Sequence, residues 1–377
     1  GRKVVVLIDE YDKPLLRNLH NEELQNEFRE LLTAFYTVLK DADPWLRFVF
    51  ITGVTKFAQV GIFSNLNHLN DISLAPQYAA LCGMTLPEIE ATFQPELHAL
   101  AEANKLSYEG IIEKITRRYD GYHFDFRSGI ALYNPFSVLN VLSKQVFYDY
   151  WFASGTPTFL AEMLRKTNYD IRELDGIEVS EVSLSDDRAN INNPVPMIYQ
   201  SGYLTIKSYD ERFRLYTLGY PNEEVKYGFL NFVASMYAHL PETETPFYIG
   251  KFIQELENGN AEAFLTRLKA FFADIPYDRT ERHYQVVFYI VFKLLGQFTE
   301  AEVRSAQGRA DAIVKTPRYI YVFEFKLKGT AEEAIRQIDD RGYLIPYTAD
   351  EREVVKVGVA FDATTRNLGE WLIEKTL

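Results

Sequence analysis

The stretch Val4-Val5-Val6-Leu7-Ile8-Asp9-Glu10 is an aliphatic run that ends in two acids. An uninterrupted aliphatic run of this length is typical of a parallel strand that is buried on both faces. A helical pattern over residues 22–40 follows it, and residues 47–53 form a second aliphatic and aromatic run. Strand, helix and strand at this spacing predict a βαβ unit and therefore an α/β fold with a mostly parallel sheet.

Beyond this unit the pattern changes three times. Residues 85–165 are mainly helical, with a start signal at Thr85-Leu-Pro-Glu88. Residues 166–245 are mixed and contain a strand pair over 202–207 and 214–218. Residues 246–377 predict two helices and then strands at 310–314, 319–327 and 354–361, with a helix over 330–342 before the last strand. We therefore divide the chain into segments 1–84, 85–165, 166–245 and 246–377.

The composition excludes several classes of protein. The chain has 377 residues, 47% of them hydrophobic and 25% charged, so it is not largely disordered. Its net charge of −13 excludes a uniformly basic nucleic-acid coat, although a local basic cleft remains compatible. The one cysteine cannot form an internal disulfide, which favours a cytoplasmic protein. No apolar run is long enough to cross a membrane. Because a strand begins almost at residue 1 without an initiator Met, we expect a piece of a longer protein.

Asp9 and Glu10 have the positions of a Walker B pair, at the end of a buried strand. In nucleotide hydrolases such an Asp holds Mg²⁺ and the Glu activates the attacking water. Thr52 or Thr55, at the tip of the second strand, would sense the γ-phosphate. The alternative is a buried strand that runs into an acidic helix cap. Since the sequence lacks a Gly-x-x-x-x-Gly-Lys-Ser/Thr loop, we do not expect these residues to hydrolyse ATP unaided.

Five short motifs stand in order along the chain. They are Val6-Leu-Ile-Asp-Glu-Tyr-Asp-Lys-Pro14, Phe50-Ile-Thr-Gly-Val-Thr-Lys-Phe57, Phe63-Ser-Asn-Leu-Asn67, Tyr119-Asp-Gly-Tyr122 and Tyr133-Asn-Pro-Phe136. Together they resemble those of the bacterial AAA-ATPase-like proteins, which typically carry a C-terminal PD-(D/E)XK nuclease-like domain. The resemblance implies a truncated AAA-type core at 1–84, a helical lid at 85–165, a linking segment at 166–245 and a restriction-endonuclease-like α/β domain at 246–377. It also implies ATP as a cofactor of the full-length protein and a homo-oligomer through the ATPase core.

A second acidic group lies near the C-terminus, with Asp311 on one predicted strand and Glu324-Phe-Lys326 on the next. Because side chains alternate along a strand, Glu324 and Lys326 should share one solvated face and the neighbouring Phe residues the buried one. A turn of even length around 316–317 would put Asp311 on the Glu324 face. We expect Val314 opposite Tyr319 and Asp311 opposite Val322, so that the two acids are diagonal neighbours.

These residue types suit hydrolysis of a phosphodiester bond. Two carboxylates from adjacent strands favour Mg²⁺ or Mn²⁺, and Lys326 could position water or offset charge on the phosphate. The resemblance adds Glu281 as a further metal ligand and Gln337 as a substrate or water contact. The alternatives are a solvated sheet face for Glu324 and Lys326, a helix-dipole role for Glu281 and a solvated helix position for Gln337. Local positive charge that could contact phosphates comes from Arg279, Arg282, Arg304, Arg309, Arg318, Lys328, Arg336 and Arg341.

The sequence thus favours an ATP-regulated, Mg²⁺-dependent nuclease that acts on DNA in the bacterial cytoplasm. One alternative is an ATP-switched protein that binds nucleic acid or protein and whose nuclease fold is catalytically silent. Another is a plain ATPase that acts on protein partners. Tyr343 lies six residues after Gln337, a longer spacing than in RecB-like nucleases, and does not support that subtype.

Overall fold

The computed structural model describes residues 2–18, 21–54, 69–125, 127–154, 160, 163–164, 169–184, 193–238, 244–273, 281–303 and 311–376. For residues 22, 182, 238, 281–284 and 303 it describes the backbone only. The chain forms two compact units, one of Gly1–Tyr169 with Glu173–Lys226 and one of Asp170–Arg172 with Tyr227–Leu377. The fold class is α/β, as predicted. The finer division into four segments stays a prediction. Within the described ranges, no helix has both the length and the apolar character that a membrane crossing requires.

The first unit begins with the predicted βαβ unit, in which β1 and β2 are parallel. Val6 and Ile8 alternate with the other residues of β1 and pack against a core that contains Tyr36 and Leu39 of α2. Asn21 begins α2 because its side chain accepts the main-chain N–H of Leu24 at 3.0 Å. The elements are β1 (Val4–Ile8), α1 (Lys13–Leu16), α2 (Glu22–Asp41) and β2 (Leu46–Ile51).

A group of helices follows, as the sequence predicts. Thr85 starts the first of them with the expected capping box, and its main-chain N–H donates to Glu88 Oε2 at 2.8 Å. A new helix begins after Asn134, whose side chain caps it and accepts the N–H of Phe136 at 3.0 Å. The helices are α3 (Leu86–Thr92), α4 (Gln94–Ala103), α5 (Tyr108–Tyr119), α6 (Pro135–Lys144) and α7 (Tyr150–Ala153).

The rest of the first unit contains a three-stranded antiparallel sheet of order β3-β5-β4, in which β4 and β5 are the predicted strand pair. Its elements are β3 (Ile177–Ser180), α8 (Glu181–Leu184), α9 (Val195–Gln200), β4 (Thr205–Asp210), β5 (Leu215–Gly219) and the first residues of α10 (Glu223–Ala238), a helix that passes into the second unit at Tyr227.

Glu224, in the first turn of α10, is a fully buried acid of this unit. Its carboxylate accepts the Ser137 hydroxyl of α6 at 2.7 Å and the main-chain N–H of Trp151 in α7 at 2.8 Å. Burial, more than any neighbouring charge, raises its pKa to about 7. Glu224 therefore joins three helices of this unit and is partly protonated near neutral pH.

The second unit has helices around a five-stranded sheet of order β10-β9-β8-β7-β6, in which β8 and β9 are parallel and the other pairs antiparallel. The predicted strands around β7, β8 and β9 and the predicted helix before β9 are confirmed. The elements are α11 (Thr245–Glu257), α12 (Ala261–Ala273), α13 (Glu281–Leu295), β6 (Glu300–Val303), β7 (Ala312–Lys315), β8 (Tyr319–Lys326), α14 (Ala331–Asp340), β9 (Glu353–Asp362) and β10 (Asn367–Lys375).

The prediction for this unit was incomplete, because it lacked β6, β10 and one of the three helices before the sheet. Strand β6 has only four residues and two of them are Glu, which is a weak strand signal. In β10 the pairing with β9 shifts between Leu368 and Trp371, so a bulge interrupts the alternation by which a strand is recognised.

Both faces of β8 are covered, which contradicts the predicted solvated face. Phe323 packs against Phe264 of α12 and Phe292 of α13, with ring centroids 5.6 and 5.1 Å apart. On the opposite face Ile320 and Val322 are fully buried and pack in one cluster with Ile335 and Ile338 of α14. A strand in the middle of a sheet with helices on both sides has no solvated face, so Glu324 lies in the interior.

The hairpin of β7 and β8 has the even-length turn that we expected, but the exact pairing differs by two residues. Val314 pairs with Tyr321, not with Tyr319. The N–H of Thr316 donates to the carbonyl of Tyr319 at 2.8 Å, so only two residues lie between the closing pair. Continued by one residue beyond Ala312–Phe323, this register puts Asp311 directly opposite Glu324, not diagonal to it.

Candidate active site

Asp311 and Glu324 are brought together by the β7–β8 hairpin. Oδ2 of Asp311 accepts the main-chain N–H of Phe325 at 2.8 Å, which fixes the Asp311 side chain against β8. Glu324 is only 3% exposed. Directly opposite residues of an antiparallel pair have Cβ atoms about 5 Å apart, close enough for both carboxylates to hold the same ion.

Lys326 and Gln337 complete the cluster around Glu324. The Lys326 ammonium donates to Glu324 Oε1 at 3.1 Å and also to Gln337 Oε1. The Gln337 amide in turn donates from Nε2 to Glu324 Oε1. Gln337 is therefore not the solvated helix residue of the alternative interpretation, because its amide bridges the lysine and the glutamate.

Gly358 explains how α14 comes close enough for this contact. It pairs with Glu324 across the parallel β8–β9 ladder. A Cβ atom on Gly358 would lie 2.5 Å from the carbonyl oxygen of Ala331 and 2.8 Å from Cγ1 of Ile335. Only glycine permits so close an approach of the helix, and the approach places Gln337 over the end of β8.

The surroundings raise the pKa of both acids. For Glu324 burial is the main cause and the nearby Asp311 charge the second, and together they outweigh Lys326 and the Asp311 N–H to give a pKa of about 6. Burial also raises the pKa of Asp311, against the opposing effects of the Phe325 N–H and of Lys326. The buried Glu324 and the half-buried Asp311 face one another with Lys326 as their counter-charge among the described residues, so they are poised to accept a cation.

The surroundings of the remaining oxygen of Glu324, Oε2, indicate whether a metal ion would fit. Oε2 is buried and has no hydrogen-bond partner among the described residues. A buried carboxylate oxygen without a partner is costly, and a bound cation would satisfy it. The described residues contain no cluster of three or more His, Cys, Asp or Glu side chains that could hold a metal. Asp311 and Glu324 alone thus fit a hard divalent ion that takes its other ligands from water or substrate.

Other predicted residues of this site are described only in part. Glu281 begins α13, as expected, but its side chain lies outside the described residues. Four of the predicted basic residues are described and exposed: Arg318, Lys328, Arg336 and Arg341. The side chains of the other four lie outside the described part of the chain: Arg279, Arg282, Arg304 and Arg309.

Tyr343 joins the site, although its spacing from Gln337 does not support the RecB-like subtype. Its hydroxyl lies 3.4 Å from Gln337 Nε2. The chain reverses at Gly342, which has φ +63°, and the Tyr343 N–H donates back to the Ile338 carbonyl at 3.1 Å. This left-handed turn at the helix end returns Tyr343 under α14. The glycine at the end of the predicted helix 330–342 was the sequence signal for such a reversal.

The N-terminal acids are placed at the carboxyl end of β1. Thr52 Oγ1 donates to Asp9 Oδ1 at 2.5 Å, so these two predicted residues meet at the ends of adjacent parallel strands. Glu10 has φ +51° and forms an ion pair with Lys13. Thr55 lies outside the described residues, as does the motif at 63–67.

Comparison with known proteins adds the family. Residues 279–371 match the family described as "PD-(D/E)XK nuclease superfamily", and residues 1–63 match that described as "Predicted AAA-ATPase". The chain is 36% identical, over 387 aligned positions, to the Azotobacter chroococcum mcd 1 protein named "Uncharacterized protein in vnfD 5'region". The alignment covers 99% of this chain and 72% of that protein. No solved structure matches the chain significantly. The chain therefore belongs to the family of AAA-ATPase-like proteins with a C-terminal domain of the PD-(D/E)XK nuclease superfamily.

Proposed function

We propose that the protein is a metal-dependent nuclease that hydrolyses phosphodiester bonds of DNA, and that ATP regulates it in the full-length protein. The observation that carries the proposal is the buried Oε2 of Glu324 beside Asp311, which has no hydrogen-bond partner in the described part of the chain. A structural ion pair would satisfy both oxygens of the carboxylate, whereas a metal ligand keeps one available.

In this proposal Asp311 and Glu324 hold Mg²⁺ or Mn²⁺, with Glu281 as a further ligand. The ion, when bound, would polarise the scissile phosphate and lower the pKa of a water molecule. Lys326 would stabilise the charge that develops on the phosphate, since its ammonium group lies beside the metal-binding oxygens and is partly exposed. Gln337 would orient that ammonium group through the hydrogen bond that its Oε1 accepts.

The ATP-dependent half of the proposal rests on the first unit. Asp9 would hold the Mg²⁺ that accompanies ATP, Glu10 would activate water, and Thr52 or Thr55 would sense the γ-phosphate. The hydrogen bond between Thr52 and Asp9 supports this grouping. We further propose a cytoplasmic protein that can assemble with other copies of itself through this core. Its domains would be the core (1–84), the lid (85–165), the linking segment (166–245) and the nuclease domain (246–377).

A cleavage assay tests the nuclease. Duplex DNA, single-stranded DNA and RNA are incubated with the 377-residue chain and Mg²⁺ or Mn²⁺, and the wild type is compared with Lys326→Ala and Asp311→Ala. Each variant should lose on the order of 100-fold or more in rate, because each lacks a group that acts on the reacting phosphate or its metal. Lys375→Ala, in an exposed ion pair with Glu353 and near Tyr319 at the start of β8, is the control and should still cut.

Two outcomes would contradict the nuclease. One is cutting that survives both Lys326→Ala and Asp311→Ala, which would point to a contaminant. The other is the absence of cutting by the wild type on every substrate in either metal, which would favour the regulatory protein with a silent nuclease fold. Preference for RNA would leave the chemistry in place and change the substrate.

A further inference from the structure

We infer that the outer edge of β10 pairs with the same edge of a second copy of this chain. The two strands would run antiparallel about a two-fold axis through Ile373 and join two five-stranded sheets into one. The inference concerns an interaction surface and does not rest on the proposed nuclease, because Glu324 and Lys326 lie on β8, two strands in from this edge.

Strand β10 presents an open edge. It is the last strand in the sheet order, and in the described part of the chain its outer side pairs with no other strand. The N–H of Thr376, directly after β10, donates to the carbonyl of Val354 in β9 at 2.9 Å. Since the hydrogen-bonding direction alternates along an antiparallel strand, the main-chain groups of Trp371, Ile373 and Lys375 point away from β9. Such groups can pair with an added strand.

The regular part of this edge is centred on Ile373. A bulge between Leu368 and Trp371 interrupts one end of β10, and the strand ends at Lys375. The regular segment therefore runs from Trp371 to Lys375. Two antiparallel copies of this segment overlap along its whole length only when Ile373 of one copy lies opposite Ile373 of the other. Any other register leaves part of the edge unpaired.

The side chains in this register are complementary. Trp371 lies on the α12 face of the sheet, where its indole Nε1 donates to Glu262 Oε2 at 2.9 Å. Lys375 alternates in step with Trp371, so it shares that face, and its side chain is 58% exposed. In the paired edge, Lys375 of the second copy would lie opposite Trp371 and near Glu262. This combines a cation–π contact with attraction between opposite charges.

Charge disfavours the neighbouring registers. A register centred on residue 372 would put Glu370 opposite Glu374, and one centred on residue 374 would put Glu374 opposite Glu374. Like charges that lie directly opposite each other destabilise a pair of strands. When the axis passes through Ile373, Leu372 lies opposite Glu374 instead, and Glu374 keeps its ion pair with Lys356 at 2.6 Å. Overlap and charge therefore favour the same register.

The size of the contact determines how stable the dimer is. Specific interfaces that bury less than about 1,200 Å² in total are typically weak or transient. A contact limited to residues 371–375 of each copy belongs to this class. The dimer should therefore be reversible, and its population should rise with the protein concentration.

Light scattering coupled to size-exclusion chromatography tests the inference on the 377-residue chain, whose monomer has a mass of 43.7 kDa. The wild-type mass should rise toward that of a dimer as the concentration increases. Ile373→Lys puts two lysines opposite each other at the axis and should raise the dimer Kd about tenfold or more. Ile345→Lys is the control, since Ile345 is 71% exposed and lies in the turn whose Tyr347 contacts Lys315 of β7.

A mixture of two variants tests the register. Ile373→Glu alone should weaken the dimer as Ile373→Lys does, because two acids then face each other. Equal amounts of the two variants should recover the wild-type association, since residue 373 of one copy faces residue 373 of the other. Circular dichroism verifies the fold. If the changes at 373 impair folding, Lys375→Glu at its exposed position should still weaken the dimer, because it puts an acid near Glu262 of the second copy.

Three outcomes would overturn the inference. One is a wild type that stays monomeric at every concentration. Another is association as strong in Ile373→Lys as in the wild type, which would place the contact elsewhere, such as in the core of the first unit. The third is a mixture that associates no better than its components, which would exclude pairing about Ile373. None of these outcomes bears on the proposed nuclease, because the cleavage assay tests residues of the β7–β8 hairpin.

Discussion

The carboxylate of Asp311 accepts the main-chain N–H of Phe325 at 2.8 Å, which fastens the acid before β7 to the strand that carries Glu324 and Lys326. This bond comes from the backbone, so it does not depend on the side chain at position 325. It leaves one oxygen of Asp311 for another ligand and holds the two acids opposite each other. The fold thereby maintains an arrangement that is unfavourable without a cation.

Asp311→Asn should stabilise the protein while abolishing cleavage. The amide oxygen can still accept the Phe325 N–H, and the neutral side chain removes the repulsion between the two carboxylates. We expect an increase of about 0.5–2 kcal/mol in the free energy of unfolding at pH 7.5 without metal, measured by urea denaturation.

The pH dependence of this stability difference is the control for the prediction. Since burial raises the pKa of Asp311, the difference between Asp311→Asn and the wild type should shrink as the pH is lowered and the acid becomes protonated. Asp311→Ala, which cannot accept the N–H, should be less stable than Asp311→Asn. An Asn variant that is less stable than the wild type at pH 7.5 would contradict the predicted repulsion.

Tyr343→Phe should slow cleavage modestly without unfolding the domain. The ring keeps its packing with Ile320 and Val322, while the hydroxyl near Gln337 Nε2 is lost. Loss of one neutral hydrogen bond corresponds to about 0.5–1.5 kcal/mol, or about a two- to tenfold decrease in kcat. Steady-state kinetics on DNA should show this in kcat with little change in KM, because Tyr343 acts through Gln337 and does not contact substrate.

Tyr347→Phe is the matched control for that variant. Tyr347 lies in the short helical turn Ile345–Tyr347 and its ring contacts Lys315, away from Gln337. It should leave kcat unchanged. Equal effects of the two substitutions would show that the Tyr343 hydroxyl has no specific part in the site.

Gly358→Ala should destabilise the nuclease domain and separate α14 from the sheet. The new Cβ atom would lie 2.5 Å from the Ala331 carbonyl oxygen, which is backbone and cannot rotate away. Overpacking of this kind costs about 1–3 kcal/mol, measured by thermal or urea unfolding. Cleavage should fall as well, because Gln337 moves with the helix.

Gly250→Ala is the opposite case. Gly250 lies inside α11, and apart from its chain neighbours and the backbone of its own helix, no atom of the described residues lies within 4 Å of the Cβ that alanine would add. Alanine should stabilise the helix by about 0.5–1 kcal/mol. Destabilisation by Gly250→Ala, or a neutral Gly358→Ala, would contradict the packing described for these two positions.

Glu224→Gln should remove part of the pH dependence of stability. The folded-state pKa of Glu224, about 7, lies above its ordinary value of 4.5. Its protonation therefore favours the folded state fully below pH 4.5, and that stabilisation is lost as the pH rises through 7. The loss is on the order of 3 kcal/mol for a shift of this size.

Glutamine is neutral throughout this range. Its Oε1 can accept the Trp151 N–H, and its Nε2 can donate to the Ser137 hydroxyl, which then accepts in place of donating. The variant should therefore be more stable than the wild type at pH 8 and similar to it at pH 4, by urea denaturation. Glu223→Gln, next in the chain and paired with Arg117 at the surface, is the control and should retain the pH dependence. A wild type and Glu224→Gln with parallel pH profiles would refute the assignment.

Much of the fold followed from local sequence patterns. The period-2 alternation of β8 placed Glu324 and Lys326 on one face, and an even-length turn placed Asp311 on the same face. The capping sequences at Thr85 and Thr330 marked the starts of α3 and α14. These features depend on residues close together in the chain, so sequence is sufficient to predict them.

Only the tertiary structure decided how these residues become a site. Whether the Glu324 face is solvated or buried depends on the packing of α14 against β9, which Gly358 permits from over thirty residues away. The contacts of Gln337 with Lys326 and of Tyr343 with Gln337 depend on where that helix lies and on the reversal at Gly342. The sequence thus determined which groups are present and which face they occupy. How deeply these groups are buried, and therefore how their charges are stabilised, depends on contacts between residues far apart in the chain and could be seen only in the folded protein.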